Sequence, residues 1–174
     1  MVASKARVAC LAAMLWAVSI GLCGCTAHLV SDYDPVTDRS VSDLYRSIDA
    51  LLTRMEELSI EPLSPNDAHA SCNPDEFADD YREIGSQLRL LIVRNAARPD
   101  NSLTNDQLLL LSKNIDAVRQ LQRVRYERAK GNSEDRSGGC LPAEEIGPIR
   151  RSLDQAVTAI LKLELAKRDF RTKE

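Results

Sequence analysis

Apolar residues recur along the second part of this chain at steps of three and four. Val41, Leu44, Ile48, Leu51, Met55 and Leu58 form one such series, the signature of a single apolar stripe on a helix. Ser40 with Asp43 resembles an N-cap pair, and Pro62 and Pro65 mark the exit. A second helix is announced by Asn73, Pro74, Asp75 and Glu76, which supply an N-cap, a proline at N1 and a glutamate reaching back. Phe77, Tyr81, Ile84, Leu88 and Leu91 follow at helical spacing, and Arg98-Pro99 stops the helix, because the residue before proline disfavours helical backbone. The third helix begins at Thr104, with Gln107 three residues on. It carries Leu108, Leu111, Ile115, Val118 and Leu121 and fades near Gly131. Residues 132–139, NSEDRSGG, read as a loop, and LPAEEIG as a short turn. A fourth helix then runs from near Pro148 to about Arg171, with Ile149, Leu153, Val157 and Ile160 widened by Leu161 and Leu165. Short connections favour antiparallel neighbours, so the pattern predicts an all-α, up-down-up-down four-helix bundle over residues 40–174.

The first 39 residues follow different rules. Lys5 and Arg7 precede an apolar stretch from Val8 to Leu22. That stretch is shorter than the ~20 residues a helix needs to cross a bilayer, and the order of charge then apolar run is that of a secretory signal. Leu22-Cys23-Gly24-Cys25 looks like a lipobox: leucine at −3, small residues before the cut and a thiol after it. Cys25 is therefore the expected lipidation site. Cys23 is not, since bulky Leu22 would stand before its bond. Residues 1–24 read as a cleaved lipoprotein signal peptide, and residues 25–39 as the lipidated cysteine and a polar tether. Several acyl chains hold far more firmly than one, at about 0.8 kcal/mol per buried CH₂. Thr26 follows the cysteine, where aspartate would favour inner-membrane retention, so the expected address is the outer membrane, facing the periplasm.

Removing the signal takes the 23 basic residues to 21 against 26 acidic ones, a net charge of −5. That is ordinary for a folded domain and gives no reason to expect nucleic acid. Only two Phe, seven Gly and seven Pro in the whole chain also favour helices over sheets. Cys10 and Cys23 leave with the signal and Cys25 takes lipid, which leaves Cys72 and Cys140. In an oxidising compartment an isolated pair is most simply a disulfide. In the expected bundle both cysteines fall at the end opposite the tether, just before the second and fourth helices. A bridge closing a loop of about 70 residues stabilises by roughly 4 kcal/mol in the chain-entropy picture.

Recognisable catalytic chemistry is missing from the sequence. Its two histidines are His28, in the tether, and His69, in a proline-rich loop. Haem attachment through C-x-x-C-H and di-iron Glu-x-x-His pairs have no match. Asp67, His69 and Ser71 lack the elbow that a hydrolytic triad needs, and no glycine-rich phosphate loop occurs. No catalytic, cofactor-binding or metal site is therefore assigned. Two departures from the apolar stripes are more informative. Arg94 with Asn95, and Glu164, occupy positions where apolar residues are expected. Arg94 and Glu164 fall at similar heights near the tether end, and an ion pair between them is predicted to set helix register. The run Arg119 to Lys130 reads as a solvated basic face partnered by Asp116 and Glu127. Lys167, Arg168, Arg171 and Lys173 are expected beside the membrane, each adding up to ~1 kcal/mol of attraction to anionic headgroups.

Several short strings resemble a family of small, largely uncharacterised proteobacterial lipoproteins. They are Asp32 to Pro35 with Thr37-Asp38 and the VSDLYRSIDALL helix, Leu90 to Ala96, Asn101 to Gln107, and Ala159 to Glu164 with Ala166-Lys167. The resemblance implies secretion, lipidation and a helical domain; it carries no activity, and Cys72 and Cys140 lie outside its pattern. The expected function is that of a non-enzymatic interaction or structural module, held to the membrane by its lipid and facing an envelope protein partner through the end that bears Cys72 and Cys140. The alternative is a pilotin-like helper for an outer-membrane secretion component.

Overall fold

The computed structural model describes residues 31–60, 72–130 and 139–171. These form α1 (Pro35–Ile60), a 3-10 turn (Pro74–Phe77) that leads into α2 (Ala78–Ala96), α3 (Ser102–Lys130) and α4 (Ala143–Arg171). Among the described residues there is no strand. The signal peptide, Cys25, both histidines, Asp67, Ser71 and Lys173 lie outside the described residues.

The helix starts differ from the expected ones, for local reasons. Asp34 caps α1: its carboxylate accepts the Val36 N–H at 3.1 Å and its carbonyl accepts the Asp38 N–H at 3.1 Å. Pro35 then sits at N1, where its missing N–H costs nothing. Residues 35–39, expected as tether, are thus the first turns of the bundle. Helix α3 begins two residues before Thr104, with the Asn101 carbonyl accepting the Asn105 N–H at 3.1 Å. Helix α4 begins at Ala143, where the Pro142 carbonyl takes the N–H groups of Glu145 and Ile146 at 2.8 and 3.2 Å. Pro148, expected to open that helix, lies inside it and forgoes one backbone hydrogen bond. The α2 start agrees with expectation, since the Asn73 side chain accepts the Asp75 N–H at 3.1 Å ahead of Pro74.

Side-chain pairs fix the packing. Arg54 meets Asp80 near one end of α1 and α2, while Thr37 meets Asn95 near the other. Tyr81 meets Gln122 and Asn95 meets Asn101 between α2 and α3; Arg125 meets Glu145 and Thr104 meets Glu164 between α3 and α4. Tyr45 bonds Asp154, and Arg150 reaches Asp49 and Glu56, which closes α4 on α1. Each adjacent pair is therefore antiparallel, and α2 and α4 lie across the diagonal from one another.

The core is the union of the four stripes. Leu44, Ile48, Leu52, Phe77, Ile84, Leu108, Leu111, Ile146, Leu153 and Ile160 are fully enclosed, and each such side chain contributes roughly 1.5–3 kcal/mol relative to leaving it in water. Leu121, expected in the α3 stripe itself, and Leu165, expected to widen the α4 stripe, face outward. Gln122 takes the core position beside Leu121 and accepts the Tyr81 hydroxyl at 3.0 Å, both groups being buried. That burial pushes the Tyr81 hydroxyl well above its ordinary pKa.

At the end where α1 and α3 finish, Cys72 and Cys140 form a disulfide with Cα atoms 5.1 Å apart. Gly139 stands beside it with φ +78°, and its Cα lies so close to α3 that a Cβ there would come within 2.5 Å of the Tyr126 Cα. We call this the distal end and the opposite one, where the chain enters α1, the proximal end.

Candidate functional site

The proximal end is built from polar side chains that occupy apolar registers. Thr37 precedes Val41 in the α1 stripe, Asn95 follows Leu91 in α2, Thr104 precedes Leu108 in α3, and Glu164 and Lys167 follow Ile160 in α4. All five are buried, as are Asp34 and Asn101. Polar groups shut away from water must find partners, and these find one another.

The network runs across all four helices. Arg94 donates from Nε to Asp34 Oδ2 at 3.0 Å, and Arg98 approaches the same oxygen at 2.7 Å. Thr37 donates its hydroxyl to Asp34 at 2.8 Å. Asn95 donates its amide to the Leu91 carbonyl at 2.9 Å and to Thr37 at 3.4 Å, and its Oδ1 accepts from Asn101 Nδ2. Asn101 Oδ1 in turn accepts the Ser31 hydroxyl and Lys167 Nζ, both at 2.7 Å. Lys167 places its other two hydrogens on Thr104 Oγ1, at 2.8 Å, and Glu164 Oε1. Thr104 donates to that same Glu164 oxygen at 2.9 Å. Glu164 Oε2 is buried with no hydrogen-bond partner among the described residues.

This arrangement corrects two expectations. Arg94 and Glu164 are not partners: their heights agree, but α2 and α4 lie on the diagonal of the bundle. Arg94 turns to Asp34 at the start of α1 with its side chain 44% exposed, and Glu164 pairs with Lys167 on its own helix. Lys167 is consequently no headgroup-facing cation, since its side chain is 2% exposed. Arg168 does face solvent, beside Asp169 and 6.0 Å over the Tyr33 ring. On the basic face of α3, Arg125 pairs with Glu145, and Arg119 lies 5.5 Å over the Tyr81 ring.

Electrostatics at the cap of α1 are one-sided. Burial alone would raise the Asp34 pKa. The hydrogen bonds from Arg94, Thr37 and the Val36 N–H, with the charge of Arg98, outweigh it and hold the carboxyl far below the usual carboxylate range. Asp34 raises the Arg94 pKa in return. Chemically the site is a closed set of paired charges, suited to holding helix ends together. Among the described residues no group of three or more His, Cys, Asp and Glu is placed to hold a metal ion, and no helix is long and apolar enough to cross a membrane.

Among the concave surfaces of the described residues, one borders the network through Arg94 and another lies apart from it. A groove of about 370 Å³ between α1 and α2 at the proximal end is lined by Val36, Ser40, Asp43, Gln87, Leu90 and Arg94. A smaller crease of about 210 Å³ between α3 and α4, at mid-height, is lined by Ala117, Val118, Leu121, Ile149 and Leu153. No family model, no curated protein and no solved structure matches the chain.

Proposed function

We propose that the chain is a lipid-anchored envelope protein whose helical bundle serves as a non-enzymatic interaction or structural module. The observation that carries this reading is the Cys72–Cys140 disulfide, because such bonds form and persist in oxidising compartments. The lipobox at Leu22 to Cys25 supplies the address, and the resemblance to small proteobacterial lipoproteins agrees with it. Lipid at Cys25 would hold the proximal end to the outer membrane and turn the disulfide-bearing end toward a partner in the periplasm. The test is metabolic labelling with an alkyne fatty acid. Label is expected on the wild-type chain in the outer-membrane fraction and lost in Cys25→Ser; equal labelling of both, or a mass that retains residues 1–24, would rule the reading out.

The crease between α3 and α4 favours a second reading, a pilotin-like helper for an outer-membrane secretion component. An apolar interhelical crease is the kind of surface that receives a partner helix. Crosslinking from Leu121 in intact cells distinguishes the two: a single outer-membrane secretion protein captured there supports the helper, and crosslinks confined to other envelope proteins support the general module.

A further inference from the structure

Exposed apolar side chains on this bundle are unevenly spread. Of the nine large ones among the described residues, seven lie in the proximal half, and only Leu121 and Val124 lie in the distal half. The two most exposed, Leu90 at 71% and Val93 at 67%, are both in the last turns of α2. Every helix contributes: Val36 from α1, Leu90 and Val93 from α2, Leu103 from α3 and Leu165 from α4. Val36 and Leu103 open their helices, while Leu90 and Leu165 stand six residues before the ends of theirs. At 1.5 Å per residue the belt made by these five occupies the outer ~9 Å of the bundle. That height matches the ~5–10 Å over which interfacial helices bury their apolar faces in the headgroup region.

The chain's entry point lies in the same place. Ser31 is fixed there by its N–H on the Asp100 carbonyl at 2.9 Å and its hydroxyl on Asn101, and Arg98 donates to the Asp32 carbonyl at 2.6 Å. Cys25 is six residues earlier, a reach of at most ~20 Å in extended chain. Any bilayer holding a lipid on Cys25 therefore lies within about that distance of Ser31, at the end that carries the belt. We propose that the proximal end is itself a membrane-interface surface, with the belt of Val36, Leu90, Val93, Leu103 and Leu165 seated among the headgroups of the bilayer that Cys25 enters. The inference rests on the anchoring reading above. Attachment is apolar rather than electrostatic, because the exposed charges at this end are mixed: Arg39, Arg94 and Arg168 stand among Asp32, Asp100, Asp106 and Asp169.

Fluorescence on the lipidated protein in vesicles tests it. The sole tryptophan of the chain, Trp16, lies within residues 1–24, so L90W and V124W each report from one fluorophore once the leader is removed. Both positions are exposed, and unchanged melting confirms that the variants fold. Loss of most of the L90W emission to bromine placed high on the acyl chains, at low and high salt alike, with V124W emission retained, supports the surface. No loss at L90W, or equal loss at both, overturns it. Shielding of L90W from iodide in a lipid-free Cys25→Ser chain produced without residues 1–24, together with a doubled mass in sedimentation, assigns the face to a second copy and overturns it as well. Intact mass reads the anchor separately: a chain without lipid on Cys25 whose L90W is still quenched on vesicles keeps the surface and loses the anchoring reading.

Discussion

Lys167 and Glu164 stand one turn apart on α4 and neutralise each other inside the bundle, both enclosed and both shared with Thr104 of the neighbouring helix. Two adjacent, opposite charges on one helix would be worth only a few tenths of a kcal/mol in water. Burial changes the consequence of breaking them.

Replacing Lys167 with methionine leaves the Glu164 carboxylate and the Asn101 amide oxygen without their cation. The expected cost is about 3–5 kcal/mol of stability, read from the denaturant midpoint. The double variant K167M/E164L removes both charges and is expected to recover most of that loss. A K167M protein as stable as wild type would show that the pair contributes nothing.

Acid acts on Asp34. Its folded pKa is depressed below the ordinary 3.8, so its contribution is fully present above pH ~4 and is lost as pH falls from there toward the folded value. Unfolding followed between neutral pH and pH 2 should show stability declining below pH 4. Asp34→Asn should be less stable at neutral pH and flatter through that acid range, since it has no proton to gain and gives Arg94 and Arg98 a weaker partner.

The disulfide spans 68 positions of sequence. Replacing Cys72 and Cys140 together with serine is expected to cost about 4 kcal/mol, and adding reductant to the wild-type chain should lower its melting temperature to near that of the variant. Identical melting with and without reductant would exclude the bond in the purified protein.

Gly139 adopts backbone geometry that L side chains rarely take, against the Tyr126 backbone. Gly139→Ala should lose more than ~1 kcal/mol by thermal melting. Gly147→Ala, which meets only the tip of Arg151 at 3.6 Å, should be neutral or slightly stabilising.

The stripes carried the architecture in readable form because core burial selects apolar residues at every third or fourth position, and Val41 through Ile160 obey that selection. Helix edges were harder to read. Asp34-Pro35 is a cap followed by a proline at N1, yet the apolar series begins only at Val41, so the first turns passed for tether. Pro148 misled in the opposite direction, since a proline inside a long helix imitates one that starts it. In the proximal network, Glu164 was legible as a polar residue in an apolar register. Asn95 was legible in the same way; Thr37, Thr104 and Lys167 carry the same signal, and taken together they would have pointed to one shared layer. What periodicity along each helix could not supply was the arrangement around the bundle. It set Arg94 and Glu164 at matching heights but not on which neighbour each would face, and the diagonal separates them.

The bridge between Cys72 and Cys140 joins the start of α2 to the approach to α4, while the proximal end is closed by the Asp34 cap and the Lys167–Glu164 pair. The two extremities thus answer to different agents. Electron donors unfasten one, and only strong acid, by protonating Asp34, loosens the other. A reducing environment at ordinary pH would therefore slacken the molecule from the distal side only, with the proximal clasp still shut.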